Sequence, residues 1–185
     1  MDPCQIECVR GDIAHQPDMD VVVNAANAQL LPGSGVAGAI HGAAGPELAR
    51  ACRPLAPIRP GQAVMTEAFG LPNRYVIHCL GPVYGVDRPE DRLLSECYRN
   101  ALHLAEAARV SSIAFPAIAT GVFGYPLADA AAVTAEALRT ERPALRHLRR
   151  IRLVLFSDSD RAVFQQALAA AGLIQVTDSV RSRHR

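Results

Sequence analysis

The sequence has no lysine and no tryptophan, and all 19 of its basic residues are arginine. Without lysine there can be no P-loop cation, no Schiff base and no lysine general base. Apolar runs of the ~18 residues that a membrane-spanning helix needs are also missing. The opening residues, Met1-Asp2-Pro3-Cys4-Gln5, lack the basic stretch and apolar run of a secretory leader. Five cysteines, Cys4, Cys8, Cys52, Cys79 and Cys97, never fall at the C-x-x-C spacing of zinc and redox sites, so they read as reduced thiols. The formal net charge is +1, too small for a global field that would draw the chain to nucleic acid or an anionic membrane. The expectation is a soluble, monomeric, cytoplasmic protein with neither metal nor cofactor and without a membrane or nucleic-acid partner.

What is present is half apolar, over 185 residues, enough for one sizeable core. A single domain is expected over 1–177, followed by a basic, flexible tail over 178–185. The organising stretch runs from Val21-Val22-Val23-Asn24-Ala25-Ala26-Asn27 to Leu31-Pro32-Gly33-Ser34-Gly35-Val36-Ala37-Gly38. Three β-branched residues in a row predict a strand buried on both faces. The glycine loop after it lets main-chain N–H groups share one space, and a helix from Val36 towards Cys52 adds its positive end. Gly45-Pro46 breaks or restarts that helix.

Further strands are expected over 4–9, 112–118 and 151–156, with a hairpin-like antiparallel pair at 62–69 and 74–80. Pro89 opens an amphipathic helix through Ala105. A second glycine loop, Ala119-Thr120-Gly121-Val122-Phe123-Gly124-Tyr125-Pro126, again follows a strand and precedes a helix. Ser157-Asp158-Ser159-Asp160 supplies N-cap chemistry for the last helix, with Gly172 at its end. Strands alternating with helices imply an α/β fold, a three-layer α/β/α sandwich around a mixed, mainly parallel sheet.

Two glycine loops after two parallel strands can face each other across the carboxyl edge of the sheet and hold a diphosphate from both sides. Asp12, just past the first strand, could accept from an exocyclic amine. Phe156, ending the last strand, could stack on a base, although for that residue taken alone core packing is the first reading. Gly33, Gly35 and Gly38 satisfy G-x-G-x-x-G, but the first glycine lies too far from the strand for a dinucleotide fold. Ser34 fails as a nucleophile elbow because Pro32 occupies the first glycine position. His78 and Cys79 are strand neighbours and point to opposite faces. His103, His147 and the arginines Arg139, Arg142, Arg146, Arg149, Arg150 and Arg152 read as solvated surface.

These motifs together, Gly11-Asp12-Ile13, Val23-Asn24-Ala25-Ala26-Asn27, Gly35-Val36-Ala37-Gly38-Ala39-Ile40-His41, Gly81-Pro82 and Pro116-Ala117-Ile118-Ala119-Thr120-Gly121-Val122-Phe123-Gly124-Tyr125-Pro126, resemble the macrodomain family over most of the chain. The resemblance implies an ADP-ribose site, with mono-ADP-ribosylated proteins as partners. Ligand-binding residues would be Asp12, Ile13, Asn24, Gly33, Ser34, Gly35, Val36, Thr120, Gly121, Val122, Phe123, Gly124, Tyr125 and Phe156. Asn27, Gly35 and Phe123 would carry catalysis, Asn27 by binding the distal ribose. MacroD-like members place an aspartate where this chain has Ala37, which removes a group that orients water; His41, one helical turn on, is a conceivable stand-in that reads better as structural. The implied activity is hydrolysis of ADP-ribose esters of glutamate and aspartate, or deacetylation of O-acetyl-ADP-ribose, with the substrate's own phosphate holding the water. The alternative is a reader that binds without cleaving. A phosphoester enzyme on a similar scaffold is a third possibility.

Overall fold

The computed structural model describes residues 2–175, so the basic tail read at 178–185 lies outside the described residues. Six strands, β1 (Gln5–Arg10), β2 (Val21–Ala25), β3 (Ala63–Glu67), β4 (Tyr75–Cys79), β5 (Ser112–Phe115) and β6 (Arg150–Leu155), form one sheet in the order β1-β6-β5-β2-β4-β3. All neighbours are parallel except β3 and β4, which pair antiparallel at one edge with Val64 opposite His78. The hairpin-like pair and the mixed, mainly parallel sheet expected from the pattern are therefore present.

Helices α1 (Gly35–Ala44) and α2 (Pro46–Cys52) cover one face, and α3 (Glu90–Ala107), α4 (Leu127–Glu141) and α5 (Asp158–Ala170) cover the other. Strand alternation sorts the side chains. Val21, Val23, Ile77, Ile113, Phe115, Ile151 and Leu153 pack with Leu94, Tyr98, Leu138 and Phe164 of α3, α4 and α5. Val22, Val76, Ala114 and Val154 pack with Ile40, Leu48, Ile13 and Met19 beneath α1 and α2. With both faces covered, the central strands must be apolar throughout, hence the unbroken valine run.

The break expected at Gly45-Pro46 is present, and the helical stretch towards Cys52 is two helices. Gly45 takes φ 87°, its N–H is accepted by the His41 carbonyl, and Pro46 begins α2. Such a φ is open to glycine at little cost, and proline suits a first helical turn. The arginine run is likewise more occupied than a solvated face. Arg142 Nε donates to the Cys4 carbonyl, Arg139 pairs with Glu136, and Arg150 and Arg152 pair with Asp18. His103 faces Glu141, and Glu106 accepts from the His147 N–H.

Candidate functional site

The carboxyl ends of β1, β2, β5 and β6 feed the loops that carry the two glycine motifs, Asp12 and Phe156. Ser34 precedes α1 in extended conformation, but its side chain accepts no capping bond from the helix. The first helical N–H with a main-chain acceptor is that of Gly38, to the Ser34 carbonyl at 3.4 Å. The N–H groups of Gly35, Val36 and Ala37 thus have no acceptor among the described residues and stand at the positive end of the helix, as an anion site requires. Gly38 is essential to this shape, because a β-carbon there would stand 2.4 Å from the Gly33 carbonyl oxygen.

The second loop is closed from within. The Gly124 N–H donates to Gly121 O at 3.0 Å, the Tyr125 N–H donates to Ala119 O at 3.0 Å, and Gly124 takes φ 73°. Phe123 offers its carbonyl to the Tyr84 N–H at 2.9 Å. The N–H groups of Gly121, Val122 and Phe123 have no acceptor among the described residues.

Between the loops lie two adjoining cavities. The larger, about 450 Å³, is lined by residues including Asp12, Ile13, Gly35, Val36, Thr120, Gly121, Phe156 and Asp160. The smaller, about 220 Å³, is lined by residues including Ala25, Ala26, Ser34, Gly35, Val36, Gly121, Val122 and Phe123. Gly35, Val36, Ala117 and Gly121 border both, so the two spaces meet at a waist made from both loops. Two other concavities, lined by residues such as Leu55 and His103 or Asp18 and Arg149, include no residue of either loop.

At the far end of the larger cavity, Asp12 Oδ1 accepts the Ala14 N–H and Oδ2 accepts from His15 Nδ1, each at 2.9 Å. The Ala14 N–H, more than the neighbouring imidazole, holds the Asp12 carboxyl below its ordinary range, and so it is ionised at neutral pH. Phe156 is 91% exposed. Strand parity puts it on the same face as Val154, one residue beyond β6, where it hangs over the cavity; packing in the core is excluded.

Residues 23–134 match the family model described as Macro domain. The chain belongs to the macrodomain family. It is 44% identical over 171 residues to a Klebsiella pneumoniae (strain 342) protein named O-acetyl-ADP-ribose deacetylase, the match spanning 90% of this chain and 97% of that one. It is similar to the Oceanobacillus iheyensis macrodomain with ADP, at TM-score 0.83 and 40% identity over 88% of this chain and 89% of that one. A Trypanosoma brucei macrodomain in complex with ADP-ribose is similar at TM-score 0.82 and 34% identity, over 89% and 69% of the respective chains.

Within this macrodomain two expected ligand residues turn away from the cleft. Asn24 is 1% exposed, and its Nδ2 donates to His78 Nδ1 at 3.1 Å. Being on the Val22 side of β2, it belongs to the layer between the sheet and α1–α2 and is corrected from ligand contact to internal support. Tyr125 is 5% exposed, packs in the core and lies 5.0 Å from the Tyr84 ring. Its side chain anchors the second loop from behind, so it too is corrected. Burial pushes its phenol up to about 12.

Gly33 and Gly124 shape the loops without lining either cavity. Asn27 lies beside Gly33 and clamps Leu31, its Nδ2 donating to the Leu31 carbonyl at 2.8 Å and its Oδ1 accepting the Leu31 N–H at 2.9 Å. A carboxamide has four bonding directions, so one N–H and one lone pair remain for a ligand.

His41 is buried, lines neither cavity, and faces His78 with ring centroids 6.4 Å apart. Residues that sequence reasoning did not assign to the site include Ala25, Ala26, Ala39, Ala117 and Asp160. The alanines offer smallness rather than chemistry, and Asp160 had been absorbed by its capping role.

Proposed function

We propose that this macrodomain binds ADP-ribose across the waist and hydrolyses its carboxylate esters, both O-acetyl-ADP-ribose and mono-ADP-ribose carried on protein glutamate or aspartate. The observation that carries the reading is the junction of the two cavities at Gly35, Val36, Ala117 and Gly121, where free main-chain N–H groups from both loops come together. A diphosphate at that junction would accept from those groups and sit on the positive end of α1. The adenine would then stack on Phe156 with its amine donating to Asp12. The distal ribose would enter the smaller cavity beside Phe123, within the reach of Asn27.

Among the described residues no titratable side chain lines that smaller cavity, and Ala37 supplies no carboxylate. The reading therefore assigns proton transfer to the substrate itself. In this mechanism a phosphate oxygen holds a water and takes its proton. For the protein ester, water oxygen bonds to the anomeric carbon while the bond from that carbon to the carboxylate oxygen breaks. For the acetyl ester, water attacks the acetyl carbon, the bond from that carbon to the ribose oxygen breaks, and the proton held on the phosphate passes to the ribose oxygen. The chain contributes orientation, through the loops and Asn27, and main-chain stabilisation of developing charge.

Incubation with O-acetyl-ADP-ribose tests the activity. Acetate and ADP-ribose should form well above the uncatalysed rate, and a parallel assay on carboxylate-linked mono-ADP-ribosylated protein should release ADP-ribose. The same bare cavity favours a second reading, a reader of ADP-ribose. Saturable binding with both esters recovered intact would assign that role instead. The proposal carries with it a cytoplasmic monomer, a compartment consistent with five free cysteines.

A further inference from the structure

Among the described residues, the larger cavity is lined by two carboxylates and by no cationic side chain. Asp12 is ionised and held by its own loop, its oxygens accepting from Ala14 and His15. Asp160 sits in the first turn of α5, half-buried, and its main-chain N–H is engaged by Ser157 Oγ at 3.1 Å. Its carboxylate has neither a hydrogen bond nor an ion pair among the described residues. Asp158, two positions earlier, differs in both respects: it faces Arg10 at 3.0 Å and Arg161 at 3.4 Å and lines no part of the cleft. An acid in the first turn suits the helix dipole, but the dipole alone does not place an unpaired carboxylate on the cavity wall beside Phe156.

We infer that Asp160 makes the cleft selective for an ADP-ribose whose nucleoside ribose is unphosphorylated, and that the 2′-phosphorylated form is rejected. The inference rests on the ADP-ribose reading of the same cleft. A carboxylate can only accept, so Asp160 and Asp12 call for two donors at the nucleoside end. Adenosine offers an exocyclic amine and ribose hydroxyls. A 2′-phosphate would instead bring roughly −1.5 to −2 charges against two carboxylates, with no arginine among the described residues lining the cavity to offset them. The diphosphate escapes this conflict because it lies at the waist, among main-chain N–H groups.

Titration calorimetry at pH 8 with ADP-ribose and ADP-ribose 2′-phosphate on the full chain decides the matter. The wild-type protein should bind the phosphorylated compound about tenfold more weakly or worse, a difference of ~1.4 kcal/mol, and added salt should narrow the gap. Asp160→Asn, which keeps shape and removes charge, should shrink the gap by about threefold or more; Asp160→Arg should close or invert it. Circular dichroism on both variants verifies folding. Equal affinity of the wild-type protein for the two compounds, or a gap unchanged in both folded variants, overturns the inference while leaving ADP-ribose binding intact. If wild-type protein binds neither compound, the functional reading itself fails and this inference fails with it.

Discussion

A β-carbon at position 38 would collide with the Gly33 carbonyl, so Gly38→Ala sets two effects against each other. Alanine gains about 1 kcal/mol of helix propensity, whereas overpacking against a fixed backbone atom costs about 1–3 kcal/mol. The clash wins, and its relief must displace the loop bearing Gly35. Titration should show ADP-ribose affinity down by about tenfold or more, equivalent to ~1.4 kcal/mol, with the melting temperature lowered. Gly121 presents the opposite case, because a β-carbon there meets nothing within 4 Å and the residue borders both cavities. Gly121→Glu should fold normally and lose measurable binding, since a carboxylate would occupy the place of the diphosphate. Retained affinity in that variant would remove the waist from the account.

Loop 11–20, which carries Asp12 and Ile13, is tied to β6 among other elements. Arg152 donates to Glu7, Gln16 and Asp18 at 2.7 to 2.9 Å, and Gln16 in turn donates to the Asp12 carbonyl at 2.9 Å. Arg152→Met leaves buried Gln16 without its donor, costing about 2 kcal/mol, while the exposed Asp18 contact adds little. Arg152 holds the Asp18 carboxyl down at about 2. The stability from that pair is complete above the unfolded carboxylate's range, near ~3.9, and disappears as pH falls through about 2. Urea midpoints of Arg152→Met should therefore show a flatter decline than wild type between pH 4 and 2. A second tie lies between β2 and β4, where His78 accepts from Asn24 and its Nε2–H donates to Thr66 Oγ1 at 3.0 Å, with Cys52 Sγ 3.7 Å away. Burial, then the neighbouring His41, pushes His78 down to about 4. An unfolded chain protonates this imidazole first, near ~6.5, so stability is full above that pH and is lost on acidification towards 4. The linkage amounts to about 3 kcal/mol, and His78→Gln should lower stability at pH 7 yet weaken its dependence on pH between 6.5 and 4.

Across the whole molecule, elements with strong periodicity or glycine punctuation were readable from the sequence, among them the valine strand, both loops, the antiparallel pair and α3. Side-chain direction was less so. The run Val21-Val22-Val23 is buried on both faces, so nothing local reveals which helical layer meets the face that Val22 and Asn24 share. Tyr125 follows a glycine loop that borders the cleft, and only the packing of α4 shows its ring turned inward. Arg152 stood in a run of arginines and could not be told from its solvated neighbours, because its acceptors lie more than a hundred residues away in the chain. The alanines at the cleft floor bear no functional groups to notice. Since the cleft draws on segments from Gly11 to Asp160, ligand should bind only the complete fold. Saturation at a hundredfold over Kd should add about 2.7 kcal/mol to global stability, visible as a single upward-shifted melting transition; two separated transitions would contradict it.

The waist is furnished by peptide groups, and peptide groups are the one thing every amino acid shares. Chains descended from a common ancestor could exchange nearly every side chain around that junction and still clasp the same anion, provided the turns keep their course. Divergence among them would then accumulate at the two ends of the trough, where bases, sugars and leaving groups are told apart.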